Sequence, residues 1–198
     1  MAAPQLGTAA GPDGLDRCWW CLGAGEYLDY HDNERGRPLH DERALFEILS
    51  LEAFQSGLSW LTILRKRPGF RRAFDDFDFE RVAAYGEGDV ERLLADASIV
   101  RNRAKIVGTI RNAGAVVALR AEGETLDELL WSFAPDHSNR LPPSSGTEID
   151  SATAESAALA KELKRRGFAL LGPTTVYSTM QAAGLVNDHL AGCAFRGS

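Results

Sequence analysis

From Asp41 onward, apolar residues recur at helical spacing with few interruptions. In "DERALFEILSLEAFQSG" they fall at Leu45, Phe46, Ile48, Leu49 and Leu51, with Asp41 placed to cap the start and Gly57 to end the run. Ser59 is placed to cap the next stretch, "WLTILRKR". The same period predicts helices in "FERVAAYGEGDVERLLADAS", "NRAKIVGTIRNAGAVVALRAEG", "TLDELLWSF", "ATAESAALAKELKRRG" and "PTTVYSTMQAAGLVNDHLAGC". Strand-type alternation is nearly absent and no internal repeat is visible, so the predicted class is all-α. The segment "APDHSNRLPPSSGTEIDS", residues 134–151, has no period and is rich in proline, serine and glycine. It reads as a long surface loop within one domain spanning 17–198. It does not read as a linker, because the two ends of the chain carry residues that need each other.

Composition narrows the picture. A chain of 198 residues can bury roughly two-thirds of its unfolded surface. With 44% hydrophobic and 25% charged residues, and no apolar run near the ~18 residues of a membrane span, a soluble protein with no membrane partner is expected. The opening "MAAPQLGTAAGPDGLD", residues 1–16, lacks the basic flank and apolar core of an export signal and reads as a disordered tail. Three cysteines and no such signal favour thiol or metal chemistry over a disulfide framework, and a cytoplasmic location. The net charge of −6 argues against coating nucleic acid by bulk attraction. Three local basic clusters remain, "RKRPGFRR", "RNRAK" and "KELKRR", which serve equally as a DNA-facing surface or as solvated helix faces.

Candidate chemistry concentrates in two places. "NDHLAGC" sets His189 and Cys193 four residues apart, on one face if the segment is helical. The early stretch "RCWWCLGAGEYLDYHDNERG" adds Cys18, Cys21 and His31. Two thiolates and two imidazoles form a tetrahedral zinc set, and Cys18, Cys21, His189 and Cys193 would serve as well on spacing alone. Either set fills four positions, so the zinc is expected to be structural, clasping the chain ends. The second place is Glu52, which lies seven after Leu45, four after Ile48 and three after Leu49, on the apolar stripe of its helix and near its C-terminus. Burial and the helix dipole both raise the pKa of such a carboxyl, unless an arginine pairs with it. With Trp60 beyond the turn "QSGLSW", and with Trp20, Tyr27 and Tyr30, it can furnish a slot for one flat heterocycle.

Taken in order, "RCWW", "YLDYHDNE", "LFEILSLEAFQSGLSW", "SIVRNRAKI", "WSF", "KRRGF", "GPTTVYSTMQAAGLVNDH" and a final cysteine resemble the 3-methyladenine DNA glycosylase I (Tag-type) family from Arg17 to about Cys193. The resemblance implies a helix-hairpin-helix DNA glycosylase fold, with zinc held by Cys18, His31, His189 and Cys193 and with Cys21 a bystander. It implies that Glu52, Tyr30 and Trp60 receive an extruded 3-methyladenine, with Tyr27 and Trp20 alongside, and that the N-glycosidic bond is hydrolysed. The partner is then alkylated double-stranded DNA. "KRRGFALLGPTT" reads in this context as the hairpin, with Gly167, Gly172, Arg165 and Arg166 on the DNA backbone. "SIVRNRAKI" is a further candidate for the DNA-facing surface.

The aspartate and lysine that related glycosylases carry after the hairpin are replaced by Val176, Tyr177, Ser178 and Thr179, which implies a monofunctional enzyme without lyase activity; the family acts as a monomer. The chain departs from the family's common "HDNEWG" in carrying Arg35. A zinc-stabilised DNA-binding module without catalysis is the alternative reading, and Glu52 among aromatics is what separates the two. A zinc hydrolase is disfavoured by the closed ligand set and the lack of an H-E-x-x-H motif.

Overall fold

The structure, a computed structural model, describes residues 6–136 and 141–197. Helices account for most of the described residues: α1 (Gly25–Asn33), α2 (Glu42–Gln55), α3 (Trp60–Ala73), α4 (Phe79–Ala83), α5 (Glu87–Ala95), α6 (Arg103–Ala121), α7 (Leu126–Trp131), α8 (Ala154–Arg165) and α9 (Pro173–Ala182). Side-chain caps set where several begin. Asp41 accepts from the Ala44 amide, Ser59 from Thr62, Asn102 from Lys105 and Thr125 from Glu128. At the far end of α2, Gly57 adopts a φ of +81°, a left-handed conformation that turns the chain back toward α3. The stretch expected as one helix from Phe79 to Ser98 divides at Gly86, whose amide donates to the Asp89 carboxylate and starts α5 afresh.

α2 forms the centre of the molecule: every residue from Leu45 to Phe54 is buried. It packs against α3, α6, α7 and α9. Phe46 and Phe54 of α2, and Phe70, Phe74 and Phe77 beside it, are fully enclosed, each contributing about 1.5–3 kcal/mol of burial free energy. This packing holds α2 rigidly, so the side chains near its C-terminal end have fixed positions.

Two further expectations from the sequence change. Residues 6–16, read as part of a disordered tail, fold onto the domain: Thr8–Ala10 (β1) pairs antiparallel with Asp16–Cys18 (β2), with Thr8 opposite Cys18. Arg17 explains the docking. Its guanidinium, only 5% exposed, is held by Asp13 at 2.6 Å and Asp32 at 2.8 Å. Residues 1–5 of the expected tail lie outside the described residues.

The helix expected to run to Cys193 ends instead at Ala182. Gly184, at φ +76°, then lies against the Arg37 carbonyl, where a Cβ would overlap the backbone. The Leu39 amide bonds the Ala183 carbonyl at 3.0 Å, so tertiary pairing replaces the helical ladder. The loop 134–151, of which residues 137–140 lie outside the described residues, contains no α-helix or strand among its described residues. Its described part is anchored: Gly146 N–H donates to Leu6 O at 2.7 Å, Ala191 N–H to Pro143 O at 2.9 Å, and a Cβ at Gly146 would run into the Trp19 ring.

Candidate active site and metal centre

Cys18, His31, His189 and Cys193 converge, although they come from β2, α1 and the irregular C-terminal segment. Their ligand atoms all lie within 4.8 Å of one another, and all four residues are buried. Cys193 Sγ stands 3.4 Å from His31 Nε2 and 3.5 Å from His189 Nδ1, the two imidazole nitrogens are 3.1 Å apart, and Cys18 Sγ is 3.8 Å from His189 Nδ1. The outward nitrogens are also engaged. His31 Nδ1 meets Asp32 Oδ1 at 2.7 Å and His189 Nε2 meets Arg35 O at 2.9 Å, so that each imidazole in its neutral form donates outward and turns its other nitrogen inward, where it can bind a cation. The Leu190 amide donates to Cys18 Sγ at 3.4 Å. A hydrogen bond from Cys18 and the two imidazoles hold the Cys193 thiol well below its ordinary range, while that shared bond and burial push Cys18 up. This cluster can hold a metal ion.

The two cysteine-histidine sets left open by spacing are separated by geometry. Cys21 is fully buried and directs its Sγ to the Cys18 carbonyl at 3.1 Å, outside the group of four. The His189–Cys193 approach arises from a turn in which the His189 amide donates to Asn187 Oδ1 at 3.1 Å, not from a helix face.

Beside the cluster opens a cavity of about 350 Å³. Trp20, Tyr27, Tyr30, Trp60 and Glu52 all line it, as expected, together with Arg35. Trp20 divides the two sites: its ring is 5.3 Å from His31 on one side and 5.7 Å from Tyr27 on the other. Tyr30 and Trp60 face each other at 5.3 Å. Tyr27 is fixed through its hydroxyl, which accepts from the Leu61 amide at 3.1 Å. Glu52 is 6% exposed, and burial pushes its carboxyl up to about 8, the positive charge of Arg35 opposing the rise. The Arg35 guanidinium itself lies over Trp20 at 5.2 Å. The cavity therefore offers flat apolar walls and, in Glu52, a buried carboxyl able to take either protonation state near neutral pH.

α8 and α9 are joined by the turn 166–172. Gly167, at φ +94°, ends α8 with paired bonds from Phe168 N–H to Leu163 O and from Gly167 N–H to Lys164 O. Gly172 caps α9, with Pro173 in its first turn. Asn112 of α6 grips the turn from beneath, donating to Ala169 O at 3.1 Å and accepting from Ala169 N–H at 2.7 Å. Arg165 and Arg166 do not project as free cations. Arg165 pairs with Glu162, and Arg166 with Glu162, Glu122 and Glu124. The other basic clusters are likewise partly spent: Arg65 on Glu26, Arg67 and Arg71 on Glu47, Arg103 on Glu87 and Glu91.

The methyladenine glycosylase family matches residues 20–197. The chain belongs to that family. It is 46% identical over 179 residues to DNA-3-methyladenine glycosylase 1 of Escherichia coli (strain K12), covering 90% of this chain and 96% of that one. A relative from Haemophilus influenzae, DNA-3-methyladenine glycosylase, is 40% identical over 180 residues, covering 89% of this chain and 96% of that protein. Among solved structures, a crystal structure of 3-methyladenine DNA glycosylase I superposes with a TM-score of 0.87 at 47% identity, covering 90% of this chain and 98% of that one. The Staphylococcus aureus enzyme, solved to explain its recognition of 3-methyladenine, gives 0.84 at 36% identity over 91% and 96% of the two chains.

For this family member, sequence reasoning missed the α9 side of the cavity, where Thr174, Tyr177, Ser178 and Gln181 stand, and the loop residues Gly146, Ile149, Asp150 and Ser151 at its edge. A local signal existed only for α9. Thr174, Tyr177, Ser178 and Gln181 share one helical face at three- and four-residue spacing, and their polarity on an otherwise buried helix marks a lined space.

Proposed function

We infer that this chain is a DNA glycosylase of base-excision repair, which extrudes 3-methyladenine from duplex DNA and hydrolyses its bond to deoxyribose. The observation that carries this reading is Glu52: a buried carboxyl with no ion-pair partner among the described residues, on the wall of an aromatic cavity. A methylated adenine still attached to its sugar is a cation. It stacks favourably between Trp60, Tyr30, Tyr27 and Trp20, and its charge draws Glu52 toward the carboxylate form. As water adds to C1′, the bond to the base breaks with its electron pair moving onto the ring, which leaves neutral; the water gives up a proton. The leaving group therefore needs no protonation, and the residues supply binding, orientation and exclusion of bulk water. None of the described residues lining the cavity is a lysine, which supports a monofunctional enzyme leaving an abasic site.

The donor set fits a structural zinc. A tetrahedral ion with Zn–S about 2.3 Å and Zn–N about 2.0–2.1 Å spaces its ligands roughly 3.3–3.8 Å apart. The separations of 3.1, 3.4, 3.5 and 3.8 Å given above lie close to that frame, and all the ligand atoms fall within 4.8 Å of one another, so small side-chain shifts would complete it. Zinc there supplies cross-linking rather than chemistry, since its four positions are filled.

The helix-hairpin-helix assignment rests on the α8–turn–α9 geometry, with Gly167 and Gly172 letting backbone amides approach phosphate. Arg165 and Arg166 contribute at most after exchanging their glutamate partners. Membership of the family supports action on DNA as a monomer, and no helix among the described residues is long and apolar enough to cross a membrane.

The test is mass-spectrometric analysis of free bases released from dimethyl-sulfate-treated duplex DNA by the wild type and by Glu52→Gln. Release of 3-methyladenine by the wild type, slowed about ten- to hundredfold by loss of the charge-assisted contact, is expected. A folded, metal-loaded wild type that releases no base would leave the DNA-binding module as the better account.

A further inference from the structure

The polarity of the α9 side of the cavity is set from behind. Asp188 is 3% exposed, and its Oδ2 accepts from the Tyr177 hydroxyl at 2.6 Å and from Gln181 Nε2 at 2.7 Å. Tyr177 and Gln181 are one turn apart on α9, and both line the cavity. A carboxylate only accepts, so the Gln181 amide must turn its nitrogen to Asp188 and its oxygen away. The opposite flip would set two acceptors against each other. The Gln181 backbone is also fixed, its carbonyl accepting from the Gly36 amide at 3.0 Å.

Among the described side chains, the buried atoms left without a partner are Ser50 Oγ and Trp60 Nε1. Gln181 Oε1 is not one of them and meets no donor among the described residues, so it is open to the space that Gln181 lines, which is the cavity.

We propose that Gln181, locked by Asp188, selects the exocyclic group of the bound base, accepting a hydrogen bond from an amino group and repelling a carbonyl oxygen. This deepens the glycosylase reading and rests on it. Adenine carries an amino group at its 6-position where guanine carries an oxygen. With a cationic base bound, Glu52 is drawn to its carboxylate form, which also only accepts, so Glu52 and Gln181 favour the same exocyclic group. Gln181 then adds to selectivity for 3-methyladenine over 3-methylguanine from α9, and Asp188 is its positioning residue.

The test compares the wild type with Gln181→Met and Asp188→Asn on dimethyl-sulfate-treated duplex DNA, reading the ratio of 3-methyladenine to 3-methylguanine released. Binding of the two free bases is measured in parallel through tryptophan fluorescence. Gln181→Met is expected to lower the release ratio about ten- to hundredfold, mainly by losing 3-methyladenine. Asp188→Asn lets the amide turn over, and the ratio narrows further by gaining 3-methylguanine. A purely structural role for Gln181 would slow both releases alike; an unchanged ratio in Gln181→Met would overturn the proposal. If Asp188→Asn fails to fold, Gln181→Met decides alone. If the wild type releases neither base, the glycosylase reading fails, and the free-base affinities still show whether Gln181 discriminates.

Discussion

Glu47 and Glu52 lie on the same helix and are equally buried, at 6% exposure each, yet they do opposite work. Glu47 is met by Arg67 and Arg71 from α3, so its charge is neutralised inside the fold. Glu52 has only the distant field of Arg35 to offset its burial. The same division holds on a larger scale. In the cysteine-histidine clasp the outward imidazole nitrogens are engaged by Asp32 and the Arg35 carbonyl, and Asp32 is in turn held by Arg17. In the cavity beside it, the Glu52 carboxyl and Gln181 Oε1 have no hydrogen-bond or ion-pair partner among the described residues. Polar groups that satisfy one another hold the fold, and those left open define the binding site.

The largest effect is expected at the clasp. Cys193→Ala removes a ligand, and the loss of a bound structural ion costs on the order of 5 kcal/mol or more. Elemental analysis should find about one zinc per wild-type chain and less in the variant, alongside a lower Tm; equal zinc and equal Tm would remove Cys193 from the ligand set. Next come the two glutamates, whose neutralisation should move stability in opposite directions. Glu47→Gln removes the carboxylate shared by Arg67 and Arg71, leaving Arg67 with Glu34 at 2.6 Å, and costs about 2–3 kcal/mol in denaturant unfolding.

Glu52→Gln stabilises, and its gain depends on pH. The folded carboxyl titrates near 8, above its ordinary 4.5, so between these values the folded state holds a proton that the unfolded state has lost. Wild-type stability therefore falls as pH rises through this window. The gain of Glu52→Gln should grow from about pH 4.5 to 8 and then level off, at about 3–5 kcal/mol. A pH-independent difference between the two proteins would show that Glu52 is not the group titrating.

Smaller effects sharpen the comparison. Arg35→Gln removes the charge opposing the rise, so the Glu52 carboxyl should titrate still higher; a midpoint that moves down, read from the pH dependence of free-base binding, would contradict this electrostatic account. The smallest change is expected from Arg165→Ala. Because Arg165 already pairs with Glu162, the slope of log affinity for DNA against log salt should shift by well under one. A shift near one would make it a phosphate contact after all.

Much of this was legible before any coordinates. Helix starts at Asp41, Ser59 and Asn102 depend on a side chain reaching an amide three residues ahead, a relation written locally in the chain. The placing of Glu52 on an apolar stripe is likewise local. The α9 lining was less legible, because a polar face on one helix says nothing of what stands across from it. The pairing of Arg65, Arg67, Arg71, Arg103, Arg165 and Arg166 with glutamates was not legible either, since a basic run reads the same whether its partners are phosphates or carboxylates.

By itself the sequence determined the helical class, the caps, the ligand types at the chain ends and the buried carboxyl, because each follows from residues within a few positions of one another. Only the tertiary structure decided that His31 and not Cys21 joins the cluster, that His189 and Cys193 meet through a turn, and that Thr8–Ala10 is a docked strand. It also turned Gln181 by way of Asp188. These outcomes depend on which buried groups find partners across the fold, His31 and His189 being 158 residues apart, and no local period encodes that choice.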